Sequence, residues 1–418
     1  MTKNTETTID ITGVSTKGFG IGRAGDFVLF VEGGLPGDRL AVQVVRAKSR
    51  YGYGEIISIL HPSSHRIKGP CNVADRCGGC QWQHCNYQAQ LDFKKQIVVD
   101  ALERIGGIKN PPIADTAGME NPWGYRNKGV FPIKNGAIGM YEAKSHNFVE
   151  IGECAIQHPA HAAIFRALQG YLCSNIRSVM IRVGFATDEI MVAFTMDGES
   201  LPQEDQLVTD LVAAGATTVL VNQHVVFGPG YIHEHIGNTV YQLSAPSFFQ
   251  VNPVQAKVLY DIAMEQAGLD GTQTLLDAHV GAGGAALYGA ARAHTVIGVD
   301  IAPSAIEDAR KNAELNGIYN ARFICGTAEE VIPALLAEGV RPNVVFLDPP
   351  RKGCDAILLD ALVAARIEKI VYISCDPATL ARDMKVLTAG GYKLTDVRPV
   401  DMFPMTAKVE VSCLLVLE

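Results

Sequence analysis

Val371-Tyr372-Ile373-Ser374-Cys375-Asp376-Pro377-Ala378-Thr379-Leu380-Ala381-Arg382-Asp383 is an apolar run that ends in a thiol and passes straight into a helix pattern opened by proline. The first part reads as a buried strand, the second as the helix that follows it. In open α/β sheets, ligands bind at the carboxyl ends of strands. A free Cys is most often a small buried hydrophobe; at a strand end it can be a nucleophile. A second stretch, Val344-Val345-Phe346-Leu347-Asp348-Pro349-Pro350-Arg351-Lys352-Gly353, is built the same way and ends in a carboxylate and two cations. Two such strand ends side by side offer a thiol, an acid and an arginine to one cleft.

Outward from these stretches, the chain beyond residue 246 alternates strand and helix. Strands are expected at 274–277, 295–299, 321–325, 343–347, 369–374, 392–400 and 409–417. Helices are expected at roughly 284–292, 303–316, 328–338, 355–366 and 377–389. Such alternation means a parallel sheet with right-handed crossovers, and the last two strands, with no helix between them, make a closing hairpin. Leu275-Leu276-Asp277-Ala278-His279-Val280-Gly281-Ala282-Gly283-Gly284 is strand, acid, Gly-rich turn and helix start. The next strand ends in Asp300, placed to bind the hydroxyls of a ribose. The turn departs from the dinucleotide pattern, with Ala286 at its last glycine position, and shows neither a pyrophosphate cradle nor a phosphate-binding lysine. An adenosine cofactor without phosphates, S-adenosylmethionine, fits better than NAD or ATP.

The 418 residues are too many for one ordinary core, so two or three domains are expected. An apolar fraction of 48% with 41 glycines describes a globular chain. No apolar run approaches bilayer length and the first residues lack a signal-peptide core. A cytoplasmic protein without membrane contact, working as a monomer, is expected. Ten cysteines in a reducing compartment favour metal or catalytic use over disulfides. The net charge of −8 counts against a nucleic-acid partner, but Arg46, Lys48 and Arg50, then Arg66 and Lys68, Arg126 and Lys128, and Arg351 and Lys352 cluster between strand patterns and suit an RNA path.

Residues 8–60 read as short Gly-punctuated strands, the mark of a small β-barrel. Lys17-Gly18-Phe19-Gly20-Ile21-Gly22-Arg23 is either a loop able to stack a base and hold phosphate or a plain hairpin connection. Cys71, Cys77 and Cys80 lie in a ten-residue loop, and Cys154 is the best fourth ligand. Four thiolates suit zinc or an iron–sulfur cluster, and the asymmetric spacing fits a cubane better. Cys85 is a possible substitute; Cys173, Cys325, Cys354 and Cys413 read as inert. Residues 86–105 read as one helix with an apolar stripe of Tyr87, Leu91, Ile97, Val98, Ala101, Leu102 and Ile105.

Taken in order, the C-x5-C-x2-C loop, Tyr125-Arg126-Asn127-Lys128, Cys154, Ser247-Phe248-Phe249-Gln250-Val251-Asn252-Pro253, the Asp348 and Cys375 stretches, and Asp401-Met402-Phe403-Pro404-Met405-Thr406-Ala407-Lys408-Val409-Glu410 resemble one family. It is the RNA (uracil-5-)-methyltransferase family, in its iron–sulfur 23S rRNA type with an N-terminal TRAM domain. The resemblance implies three parts. They are a TRAM-like RNA-binding barrel (1–66), a central α+β domain with an iron–sulfur loop (67–245) and a Rossmann-like class I methyltransferase domain (246–418). It implies a 4Fe-4S cluster on Cys71, Cys77, Cys80 and Cys154. It implies that Gln250, His279, Asp300 and Asp348 contact S-adenosylmethionine, and Gly281, Gly284 and Thr327 complete the expected cofactor set. It implies Cys375 as nucleophile and Glu410 as general base. The family's cofactor loop usually reads Asp-Leu-Tyr/Phe-Cys-Gly-x-Gly-Thr/Asn. Here His279 replaces the aromatic, Val280 the Cys and Gly284 the polar residue; Asp300 stands where Glu is usual, and Lys408 near a usual His.

The chemistry needs these residue types. Carbon 5 of uracil is a poor nucleophile until a thiolate adds to carbon 6 and makes an enolate. A base must then remove the carbon-5 proton so that the thiol can leave. The helix after Cys375 is expected to lower its pKa. A target base has to leave its stack, so looped or distorted RNA is the expected substrate: 23S rRNA, with a tRNA T-loop uridine as alternative. An amino-group methyltransferase would carry an aromatic where Arg351 stands, and a cytosine-5 enzyme a Pro-Cys or Thr-Cys in place of Ser374-Cys375. A non-catalytic RNA-binding or folding factor with a degenerate cofactor loop is the reading from another class.

Overall fold

The computed structural model describes every residue except Glu199. Strands Glu6–Val14, Gly20–Ala24, Phe27–Val31, Arg39–Ala47 and Tyr51–His61 close into a barrel. Its alternate residues point inward, Ile9, Ile11, Leu29, Val31, Leu40, Val42 and Val44 among them. One expectation is corrected here. The second half of the Gly-rich stretch 17–23 is a strand, not a loop. Its glycines are there for closeness: a Cβ on Gly20 would lie 2.7 Å from the Gly34 carbonyl oxygen, and one on Gly22 2.7 Å from that of Asp10. Phe19 is buried, with the Lys144 Nζ 4.1 Å from its ring centre, so it is not free to stack a base.

The helix Tyr87–Arg104 starts where Asn86 accepts a hydrogen bond from the Ala89 N–H. Its buried face is Ala89, Gln90, Lys94, Ile97, Val98, Ala101 and Leu102. Two of these are polar, and Ile105, expected in the stripe, is exposed. The central part is a seven-stranded sheet with edge strands His224–Phe227 and Phe148–Glu150, backed by helices Ala160–Ala167 and Glu204–Ala213. The hairpin Tyr231–Ile236 and Thr239–Ser244 then packs Ile232, Tyr241 and Leu243 into a core shared with Leu259, Ala263 and Phe346. The chain on either side of residue 245 is therefore joined by one core.

The C-terminal sheet has the spatial order Ala321–Cys325, Thr295–Asp300, Thr274–Asp277, Val344–Leu347, Lys369–Ser374, Glu410–Leu417, Tyr392–Val400. The first five strands are parallel and the last two antiparallel. The expected hairpin is present, with its second strand inserted against Lys369–Ser374. Each central strand is apolar on both faces: Val345 and Leu347 face one core, Val344 and Phe346 the other. The chain reverses direction across the sheet between Thr274–Asp277 and Val344–Leu347, which opens a crevice at their carboxyl ends. Among the described residues, no helix is long and apolar enough to cross a membrane.

Candidate active site

The crevice is lined by Phe248, Gln250, Tyr260, Asp277, His279, Gly281, Gly284, Asp348 and Ile373, among others. Its floor is the Gly-rich turn. The Ala278 N–H donates to the Phe346 carbonyl (3.0 Å) and the Val280 N–H to that of Val299 (2.9 Å), so both neighbouring strands hold the turn. Gly281 and Gly283 have φ of +53° and +99°, a region that side chains other than glycine rarely adopt. A Cβ on Gly284 would lie 2.6 Å from the Tyr260 hydroxyl, whereas one on Gly281 would meet open space. The first glycine fits the backbone to a buried Tyr; the second leaves room in the cleft.

Of the expected cofactor residues, Gln250, His279, Gly281, Gly284 and Asp348 line this cleft. Asp300 and Thr327 stand beside it at the next strand ends. Asp300 accepts the N–H of Gly281 (3.0 Å) and of Ala302 (2.9 Å), which fixes its carboxylate at the turn. His279 Nδ1 and Thr327 Oγ1 are buried and lack any partner within the protein. Buried polar atoms are nearly always paired, so two orphans here suit an adenosine-bearing ligand, and the residues fit S-adenosylmethionine. Burial pushes the His279 imidazole down to about 4, so it meets a ligand as the neutral ring.

Cys375 and Glu410, the expected nucleophile and base, come from adjacent antiparallel strands. Ser374 pairs with Val411, so continuing the register sets Cys375 across from Glu410. Cys375 is half-buried and Glu410 buried. Burial, then the neighbouring Asp348, holds the Glu410 carboxyl well above the usual carboxylate range, with Arg351 and Lys408 opposing. Burial raises Asp348 and Asp277 to about 7 each. The expected lowering of the Cys375 pKa is not found. Burial, Glu410 and Asp348 push the thiol up to about 11, and Arg351 only partly offsets them. The helix end that was to help is already taken: the Asp376 carboxylate accepts the N–H of Ala378 (2.9 Å) and of Thr379 (3.2 Å). It adds a negative charge beside the sulfur.

Tyr260 had no signal in the sequence, which placed no helix there; it lies on the helix Pro253–Ala267. It is buried under the turn, and burial with Asp348, Asp277 and Glu410 raises its phenol strongly. Phe248 is 78% exposed at the cleft mouth. The buried pair of Lys94 and Asp401 was also missed; neither residue type announces a core position.

The four cysteines expected to act together do lie together. Cys80 is pushed up to about 12, mainly by burial and further by Cys154, Cys77 and Cys71. Burial raises Cys154 and Cys77, and Cys71 adds to both. The Gly79 N–H points at the Cys77 sulfur (3.5 Å). Among the described residues, no three His, Cys, Asp or Glu side chains converge as ligands of one metal ion. Cys85 is buried away from this group among Leu35, Trp82 and Ala407. Cys325, expected inert in an apolar setting, is exposed.

An open parallel sheet with a Gly-rich turn at its reversal point, a strand-end acid and a cleft of these residues is the fold of an S-adenosylmethionine-dependent methyltransferase. The tRNA (Uracil-5-)-methyltransferase family matches residues 203–418 and the TRAM domain residues 2–57. The chain belongs to that family and is an RNA (uracil-5-)-methyltransferase. It is 40% identical to an uncharacterized RNA methyltransferase of Halalkalibacterium halodurans, over 100% of this chain and 98% of the relative. It is 39% identical to another from Clostridium tetani, over 99% and 96%. A solved structure from Pyrococcus abyssi, the tRNA (uracil-54, C5)-methyltransferase in complex with S-adenosyl-L-homocysteine, superposes with a TM-score of 0.79 at 26% identity. That match covers 98% of this chain and 100% of the other.

Proposed function

We propose that this protein methylates carbon 5 of one uridine in 23S rRNA through a covalent Cys375–uracil adduct that Glu410 resolves. The observation that carries this is the register placing Cys375 and Glu410 opposite each other beside the cofactor cleft. The donor supplies an electrophilic methyl group on a positively charged sulfur. The protein's own part is to attack carbon 6 with the Cys375 thiolate, its proton given up to solvent, to hold the base, and to take the carbon-5 proton on the Glu410 carboxylate as the carbon 6–sulfur bond breaks and the thiolate leaves. Gln250, His279, Gly281, Gly284, Asp300, Thr327 and Asp348 are assigned to hold the donor. A barrel followed by the cysteine loop is the layout that favours 23S rRNA. A tRNA T-loop uridine is the second reading, favoured by the likeness to the Pyrococcus abyssi enzyme. Labelled methyl transfer to 23S rRNA fragments and to tRNA transcripts, with the product base mapped, tests both. Label on neither RNA would overturn the assignment.

The barrel offers a surface for that RNA. Residues paired across a ladder share a face. Ile21 pairs with Phe30, Phe30 with Tyr53, and Arg46 with Tyr53, all on the outer face. Phe30, Tyr51 and Tyr53 form a cluster with ring centres 5.7 to 6.2 Å apart. Exposed Arg23, Arg46, Lys48 and Arg50 surround it despite the acidic chain as a whole. Aromatics ringed by cations suit unpaired bases and their phosphates. Replacing Tyr51 and Tyr53 by Ala should weaken RNA binding by about tenfold or more, since each stacked base contributes about 1–3 kcal/mol. S-adenosylmethionine binding should not change. Equal RNA affinity in a titration of the double variant would remove the platform from the RNA path.

We also assign Cys71, Cys77, Cys80 and Cys154 to a 4Fe-4S cluster. Thiols bound to one zinc ion lie at about 2.3 Å from it; a cubane is wider and asks for less convergence, as here. No electron is needed for methyl transfer, so its part is to order the loop. Anaerobically purified protein should contain iron and acid-labile sulfide. Stoichiometric zinc in their place would refute the assignment.

A further inference from the structure

The segment 401–409 carries the chain from strand Tyr392–Val400 back into Glu410, and it is held along its length by the N-terminal half of the protein. Asp401 is buried against Lys94 and accepts the Tyr87 hydroxyl (2.8 Å). Lys94 Nζ also donates to the Phe403 carbonyl (3.1 Å), and the Tyr125 hydroxyl to the Pro404 carbonyl (3.0 Å). Met405 has φ +67°, a left-handed conformation that a non-glycine residue keeps only where its surroundings enforce it. Three hydrogen bonds enforce it. Its N–H donates to Gln90 Oε1 (3.0 Å), and its carbonyl accepts the N–H groups of Gln81 and Trp82, both at 3.0 Å.

Gln90 is fully buried and its amide nitrogen donates to the carbonyls of Trp82 (3.2 Å) and Cys85 (2.9 Å). One side chain thus ties the cysteine loop, the helix and the base-bearing segment together. The barrel presses on the same place: Trp82 Nε1 donates to the Gly18 carbonyl (3.1 Å), and a Cβ on Gly18 would lie 3.1 Å from that of Ala407. We propose that Gln90 is a positioning residue for Glu410, holding Met405 in its left-handed turn so that the carboxylate reaches the adduct. Gln81 follows Cys80 directly, so order in the cysteine loop passes through the same link.

The proposal rests on Glu410 being the base. Its signature is a separation of two events. Cys375 hangs on a strand that the clamp does not touch, so attack persists when the clamp is cut. Proton removal slows, because a misplacement of about 1 Å can cost about a hundredfold in rate. Gln90→Met keeps volume and removes the hydrogen bonds of the Gln90 amide to Met405, Trp82 and Cys85, leaving the others in place. It should lower turnover by about tenfold or more and let a denaturation-resistant protein–RNA adduct accumulate. Affinity for S-adenosylmethionine should stay as in the wild type. Hydrogen exchange at the Met405 amide should accelerate while the amides of Lys369–Ser374 stay protected. Tyr125→Phe deletes only the bond to Pro404 and should move both readouts less, in the same direction. Wild-type turnover and exchange in both variants would overturn the proposal, and so would lost turnover without adduct. If the wild type itself methylates no RNA, the functional reading fails, and the exchange measurement still decides whether Gln90 holds Met405.

Discussion

Cys375→Ala is expected to abolish methylation, by about four orders of magnitude or more, the scale on which losing a covalent nucleophile acts. The variant should form no covalent RNA adduct on a denaturing gel, yet bind S-adenosylmethionine as before, because the cofactor cleft is built from the turn at Asp277–Gly284 and the strand ends beside it. The wild type should also show a particular pH profile. The Cys375 thiol is held up near 11 by burial and by the neighbouring Glu410 and Asp348, so it carries its proton in the resting enzyme at neutral pH. Below a raised thiol pKa, each unit increase in pH multiplies the thiolate about tenfold. The rate of methyl transfer should therefore climb across the neutral range into the alkaline one. Methyl transfer by Cys375→Ala, or a wild-type rate that falls over that range, would remove the thiol from the mechanism.

The C-terminal fold was legible because a parallel strand is buried on both faces. Val344–Leu347 and Lys369–Ser374 are plain apolar runs followed by proline, and their ends carry the residues assigned to the chemistry. The barrel was less legible at Gly20–Ala24, where glycines needed for close backbone approach look like loop glycines. Cys375 and Glu410 could be singled out from their motifs, but not the register that sets them opposite each other. The thiol's environment was misread because a helix start was counted without its own cap: Asp376 consumes the free N–H groups that were to favour a thiolate. Lys94, Asp401 and Gln90 escaped notice because polar residues in a helix stripe or a loop read as solvated. They are buried because segment 401–409 needs partners for its backbone, and that need shows only once the chain has folded.

Glu410→Gln should divide the reaction at its midpoint. The substitution keeps the size of the side chain and removes its ability to take a proton. The Cys375 sulfur remains on its own strand, and the group whose charge most opposes its ionisation is gone, so attack is not impaired. The methyl group can still be transferred, but the carbon-5 proton has no acceptor and the thiol cannot leave. A slow-migrating protein–RNA species carrying labelled methyl should accumulate under denaturing conditions, while released product falls by at least about a hundredfold, the scale of losing a general base. Adding Cys375→Ala to the same chain should erase that species, since the adduct bond is to the sulfur. Lys408 and Arg351 lie close enough to Glu410 to lower its pKa, so a cation-assisted water is the rival acceptor. Normal turnover by Glu410→Gln would hand the role to that water. A trapped, methylated adduct that disappears with Cys375 fixes the order of events, with attack and methyl transfer first and proton removal last.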